Sequence, residues 1–187
     1  MTLTRLTAAD YATSTWSGGT TTELLIRPRG AVYAERDFLC RVSSATVDLD
    51  KSTFTALPEY DRLIATLEGT ITLLHDDGPA LTLAPFQVHA FDGGSETVSF
   101  GRCRDFNLML RKGQAAGSLR SVTVERTTDL PLSPGARTAL LYCVSGHCAV
   151  DDVPLSPGES LLLEDLSADV LALRGHAQLM LAEVSCT

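Results

Sequence analysis

Short runs rich in Thr, Val, Leu, Ile and Phe succeed one another through the whole chain, each cut off by Gly, Pro or Asp. TTTELLIRP, FLCRVSSATVDL, DRLIATLEGTITLL, ALTLAPF, TVSF and DFNLMLR fill the first part; LRSVTVER, TALLYCVSG, HCAVDD, ESLLLE, DVLALRG and AQLMLAEVS fill the second. β-branched and aromatic residues bounded by turn formers read as strands. Helical spacing of apolar residues at i, i+3 and i+4 is not sustained over any stretch. A single helical turn is predicted near Thr7–Thr13. The expected fold is therefore all-β, a sandwich or a barrel.

One pattern occurs twice. Leu67–Leu73 (LEGTITL) leads to Leu81–Phe86 (LTLAPF), and Val144–Val150 (VSGHCAV) leads to Val153–Glu159 (VPLSPGE). Each passage reads strand, Gly turn, strand, polar hairpin, short strand and a Pro-containing turn, with Gly69 matching Gly146 and Pro85 matching Pro157. A repeat once per half implies two related β units. The echo resembles the half-barrel of cupins, which are double-sheet jelly rolls. It predicts two fused cupin units, a bicupin, in one compact chain. The first unit covers residues 1–112 with its N-terminal segment, the second 118–187, and the small, polar KGQAAGS at Lys112–Ser118 joins them.

Composition narrows the partners. A net charge of −8 without any Lys/Arg run argues against nucleic acid. No apolar run approaches the roughly 18 residues that cross a bilayer, and MTLTRLTAADYATSTW has no apolar core of a signal peptide, so no membrane partner and a cytoplasmic location are expected. Five cysteines (Cys40, Cys103, Cys143, Cys148 and Cys186) at irregular spacings suit reduced thiols. Unpaired sheet edges favour a homodimer.

The search for chemistry returns few motifs. The four histidines are His75, His89, His147 and His176; no two lie within ten residues of one another. That spacing assembles no local metal site, and no metal or other cofactor is expected. There is no G-x-S-x-G, and Gly18-Gly19-Thr20 lacks the lysine of a phosphate loop. No catalytic residue is assigned. The informative stretch is Asp105–Arg111 (DFNLMLR). Alternation in a strand puts Asp105, Asn107, Met109 and Arg111 on one face and Phe106, Leu108 and Leu110 on the other. An acid, an amide and a guanidinium in a row form either a solvated outer face or the lining of a polar pocket. Arg41 with Ser43, and Arg62 with Ile64 and Thr66, repeat the alternation on other strands. An arginine inside a small barrel needs a partner, either Glu23 or Asp105 or the carboxylate of a ligand. Trp16, the single Trp, closes a pocket mouth or fills the core, the core being the commoner place for such a residue.

Taken together these residues resemble the HutD/Ves family. The pattern begins with Trp16, Gly18-Gly19, Thr21 and Glu23, and continues with Phe38, Cys40, Arg41, Ser43 and Ala45. Phe54, Leu57, Pro58, Asp61 and Arg62 follow, then Leu67 with Gly69 and Pro85-Phe86; the D-F-N-x-M-x-R motif is complete at Asp105–Arg111. Departures fall early: the Gly-rich turn is two residues short and lacks its Asn, Cys40 replaces a Trp, and Glu59 stands where Gly is common. The resemblance implies a bicupin without an established enzymatic activity. It is associated with histidine utilisation through a metabolite-binding regulator for HutD, and with stress response for Ves.

The expected function is a non-catalytic binding protein for a small carboxylate such as urocanate or a formylated glutamate. The expected ligand-binding residues are Arg41, Arg62, Asn107, Thr21, Glu23, Asp105, Trp16 and Ser43. Two alternatives stay open. One is a metal-independent enzyme using Glu23 and Asp105 as acid and base. The other is an interaction protein with an inert barrel.

Overall fold

The computed structural model describes residues 1–186. Sixteen strands account for nearly all its regular structure, in the order β1 (Thr2–Leu6), β2 (Ala12–Trp16), β3 (Gly19–Arg27), β4 (Cys40–Val47), β5 (Lys51–Thr53), β6 (Tyr60–Glu68), β7 (Ile71–His75) and β8 (Leu81–Leu83). There follow β9 (Val88–Asp92), β10 (Thr97–Phe100), β11 (Cys103–Arg111), β12 (Ala115–Pro131), β13 (Thr138–Val150), β14 (Val153–Leu155), β15 (Ser160–Glu164) and β16 (Val170–Cys186). The helical turn expected near Thr7 is a single 3-10 turn at Ala8–Asp10; a second lies at Tyr33–Glu35. The fold is all-β, two fused jelly-roll units, as the repeat implies.

The chain divides into Ala12–Ala116 and a second unit made of Met1–Tyr11 and the chain from Gly117 onward. The first eleven residues thus do not group with residues 12–112, as the sequence division has them. Thr2–Leu6 pairs antiparallel with β15, and Arg5 grips Glu159 through two hydrogen bonds of 2.5 and 3.1 Å. The join also differs, because β12 starts at Ala115, inside the KGQAAGS segment.

Ala12–Ala116 contains a six-stranded sheet, β2-β3-β4-β11-β6-β9, and a four-stranded sheet, β5-β10-β7-β8. Apolar clusters fill its interior. Phe38, Leu57, Tyr60 and Met109 form one; Ile64, Ile71, Leu73 and Leu83 form another, with Phe54 and Phe91 packed against it. The second unit has the sheet β1-β15-β13-β16-β12, with β14 on β13. Inward residues such as Leu141, Cys143, Leu161, Leu163, Leu173, Leu179 and Leu181 are fully buried in one apolar cluster. Its buried carboxylate, Glu183, accepts from Ser133 N (2.5 Å), Ser133 Oγ (2.9 Å) and Ser118 Oγ (3.2 Å).

The repeated glycines occupy equivalent backbone. Gly69 (φ +79°) and Gly146 (φ +75°) lie in the left-handed region, and a Cβ at either would strike the facing carbonyl, Arg102 O or His176 O. Only glycine meets both demands. The Pro turns match in the same way. Gly158 after Pro157 has φ +85°, and its counterpart Phe86 after Pro85 holds φ +66° with a ring on it, a conformation that costs a bulky residue energy.

Candidate ligand pocket in the first unit

Strand register builds the site. Along β3-β4-β11-β6, Glu23 lies beside Ser43, Ser43 beside Asn107, and Asn107 beside Ile64. The row to one side reads Thr21, Ala45, Asp105, Thr66; the row to the other side reads Arg41, Met109, Arg62. Period-two alternation then turns all these side chains to the same face. Of these, Thr21, Arg41, Ser43, Ala45, Arg62, Asp105, Asn107 and Met109 line a cavity of about 370 Å³, together with Tyr33, Phe54, Trp16, Val47, Ser14, Thr55 and the β5 residues Ser52 and Thr53.

Seven of the eight sequence-expected residues meet there: Trp16, Thr21, Arg41, Ser43, Arg62, Asp105 and Asn107. Glu23 does not line the cavity but stands behind Arg41 as its counter-ion. The solvated-face reading of Asp105–Arg111 does not hold, because Asp105, Asn107 and Met109 are all buried. Arg111 leaves the group and donates to Arg36 O at 2.9 Å. Trp16 is not a core residue. It is 37% exposed on an edge hairpin, because β2 has no neighbour beyond β3. Tyr33 and Phe54 were not legible as site residues. Both sit outside the strands, where no alternation indicates a facing direction.

The two arginines differ in kind. Arg41 Nε donates to Glu23 Oε2 at 2.6 Å, its Nη1 donates to Ser43 Oγ at 3.1 Å, and its guanidinium lies 4.4 Å from the Tyr33 ring centre. It is a satisfied ion pair. Arg62 is 6% exposed and has no carboxylate in salt-bridge reach among the described residues. Its Nη2 donates to Asn107 Oδ1 at 3.1 Å, its Nε has no hydrogen-bond partner, and its charge sits between the rings of Phe54 (4.9 Å) and Phe91 (5.2 Å). Burial pulls its proton affinity below the ordinary value, yet a guanidinium remains charged at any pH where the protein is folded. An unpaired buried cation is costly unless something anionic joins it.

Asn107 links that cation to an acid. Its Nδ2 donates to Asp105 Oδ1 at 2.8 Å, so its Oδ1 must be the atom facing Arg62. Asp105 Oδ1 also accepts from Ala45 N at 3.2 Å. Burial pushes the Asp105 carboxyl up to about 6, against the opposing pull of these hydrogen bonds and of Arg62 and Arg41.

His75 and His89 are not isolated, contrary to their spacing in the chain. Their Nε2 atoms lie 2.9 Å apart, His75 Nδ1 is 2.8 Å from Thr97 Oγ1, and Phe91 packs on both rings. Thr97 Oγ1 donates to Ser95 O, so it accepts from His75 Nδ1–H, and His89 Nε2–H donates to His75 Nε2. With ring centres 5.0 Å apart, the two nitrogens meet head to head across one hydrogen bond. Burial holds both pKa values down, and for His75 the neighbouring His89 adds to it. No cluster of three or more His, Cys, Asp or Glu suited to a metal occurs among the described residues.

Two jelly-roll units, one of them with a polar arginine-lined cavity, define a two-unit cupin protein. The fold is shared with a cupin 2 conserved barrel domain protein from Leptotrichia buccalis, with a TM-score of 0.56 at 12% identity over 93% of this chain and 91% of that one. The family model for HutD matches residues 8–181, and the chain belongs to the HutD family. It is 27% identical over 155 residues to Protein Ves of Cronobacter sakazakii, covering 80% of this chain and 82% of that protein. HutD from Pseudomonas fluorescens superposes over 100% of both chains with a TM-score of 0.81 at 24% identity.

Proposed function

We propose that the first unit is a non-catalytic receptor for a small carboxylate metabolite, and that the protein uses it to regulate histidine utilisation or a stress response. The observation that carries the reading is Arg62, a buried guanidinium with an unpartnered Nε and no carboxylate at contact, lining a cavity of about 370 Å³. A carboxylate would give the Arg62 guanidinium the direct anionic partner it lacks, a pairing to which a guanidinium fork is suited. Trp16, Tyr33, Phe54 and Met109 would enclose the apolar part of the ligand. The association with histidine utilisation rests on family membership, and urocanate and formylglutamate are the carboxylates to try first. Five free cysteines fit a reducing cytoplasm, and no helix among the described residues is long and apolar enough to cross a membrane. A homodimer through the sheet edges remains part of the proposal, checked by light scattering.

The test is a thermal-shift screen of carboxylates, with and without Zn²⁺, on wild type and Arg62→Met. A ligand at about 100 times its Kd stabilises by about 2.7 kcal/mol, roughly 5–10 °C for a chain this long. The shift is expected for wild type and absent from the variant. A ligand shift that survives in the variant, or none with any acid, overturns the assignment. New species in NMR spectra of the mixtures would favour the enzyme reading.

A further inference from the structure

We propose that the pocket takes up its carboxylate together with one proton from solvent, which adds to Asp105. The inference rests on the anion-binding reading of the same cavity and fixes what accompanies the ligand.

Charge balance sets the constraint. Four charged groups meet at or beside the cavity: Arg41, Glu23, Arg62 and Asp105. Arg41 and Glu23 cancel at 2.6 Å. Arg62 and Asp105 balance each other only at a distance, through the amide of Asn107, and both are buried. The empty site is thus neutral when Asp105 is ionised. A monoanion brought against Arg62 would leave one uncompensated negative charge beside the buried Asp105 carboxylate, where charge is expensive. One of the anions must then be neutralised. Glu23 is held by its direct guanidinium partner. Among the described residues, Asp105 has only neutral donors, Asn107 Nδ2 and Ala45 N, both on Oδ1.

Among the described residues, the surroundings of Asp105 contain nothing else to cancel the charge. β4 brings Arg41, β6 brings Arg62 and the neutral Thr66, β3 brings Glu23, and Asp105's own strand brings the Cys103 thiol, itself pushed up to about 12 by burial and by Asp105. Tyr33 is neutral. The raised Asp105 carboxyl, near 6, means that little further push is needed. A proton on Oδ2 turns Asp105 into a donor. The bound carboxylate then accepts from the Arg62 guanidinium and from Asp105 Oδ2–H, so the site selects a ligand whose anionic end carries acceptors only. A ligand with an ammonium group beside its carboxylate would instead keep Asp105 ionised.

The test uses benzoate, a carboxylate ionised across the range studied, with a flat apolar ring for the aromatic walls. Binding is followed by Trp16 fluorescence and by calorimetry from pH 5.5 to 8.5, on wild type, Asp105→Asn and Arg62→Met. Wild-type affinity is expected to fall about tenfold per pH unit above the Asp105 pKa. Calorimetry in bis-tris and imidazole at pH 7.5 is expected to show uptake of about one proton per benzoate. Asp105→Asn, whose amide keeps the Oδ1 acceptor, is expected to bind with a flat profile. Binding that needs Arg62 but shows no proton uptake overturns the coupling and leaves the receptor reading standing. Absence of Arg62-dependent binding at every pH overturns both. Should Asp105→Asn not fold, the wild-type proton count decides alone.

Discussion

Replacing Arg62 by methionine is expected to stabilise the empty protein while abolishing anion binding. Arg62 is buried with an unsatisfied Nε and no carboxylate at contact. Its desolvation costs several kcal/mol after relaxation. Against this stand two ring contacts, each worth about 1 kcal/mol, and one charge-assisted hydrogen bond to Asn107 of about 1.5–3 kcal/mol. Methionine keeps the length of the stem and recovers part of the ring contact through sulfur, about 0.3–1.5 kcal/mol per ring. The exposed cost is Asn107 Oδ1, left without its donor, at about 1–3 kcal/mol. The sum is a net gain of about 1 kcal/mol, or roughly 2–4 °C in Tm for this length. Urea unfolding followed by circular dichroism measures it. The midpoint should rise with an unchanged slope. The measurement belongs at pH 5.5, below the raised Asp105 pKa near 6, where that carboxyl is largely protonated in both proteins. A loss of more than about 2 kcal/mol would refute the reasoning, because it would show Arg62 to be a structural tie of the kind whose removal typically destabilises.

Asp105 contributes its own pH dependence. A folded-state value of about 6 against an ordinary 3.8 means the stabilising protonated form is fully present below the unfolded value and is lost as pH rises through 6. Asp105→Asn should therefore exceed wild type by up to about 3 kcal/mol at pH 7.5 and match it near pH 4, read as a difference in urea midpoints. The histidine pair acts in the opposite direction. Both folded pKa values lie below 6.5, so this contribution is present above the unfolded value and disappears as pH falls below it. His89→Phe should lose stability less between pH 7.5 and 5.5 than wild type does, by the same unfolding assay. Gly69→Ala and Gly146→Ala, each at positive φ and against a facing carbonyl, should each cost about 1–3 kcal/mol, seen as a lowered Tm; equal stability would contradict the turn geometry.

The β class was legible because alternation and turn residues are local properties of the chain. A strand's two faces follow from its own sequence, so the sharing of one face by Asp105, Asn107 and Met109, and by Arg41 and Ser43, is readable from the strand segments alone; that this face turns inward is not. Gly69 and Gly146 were recognisable as a pair for the same reason, since a left-handed turn has its requirement in the residue itself. The family pattern added the order in which these strands occur. The motif residues form one site because β3, β4, β11 and β6 are hydrogen-bonded in register.

What local pattern does not contain is which strands are neighbours. Glu23 and Asp105 were equal candidates for either arginine; the β3–β4 register gave Glu23 to Arg41 and left Arg62 with only the amide of Asn107. His75 and His89 lie on strands of different sheets, and only the closing of those sheets over Phe91 brings their nitrogens to 2.9 Å. Thr2–Leu6 joins the second unit through pairing with residues more than 150 positions away. Tyr33 and Phe54 reach the cavity from irregular segments, where no period exists to read. The amino-acid sequence by itself determined most of the strands and turns and which side chains of a strand share a face, while β1, β2, β5 and β9 were not legible in it. The tertiary structure decided the partners, and with them which charge was left unpaired, because pairing between distant strands is a property of the closed sheets rather than of any one of them.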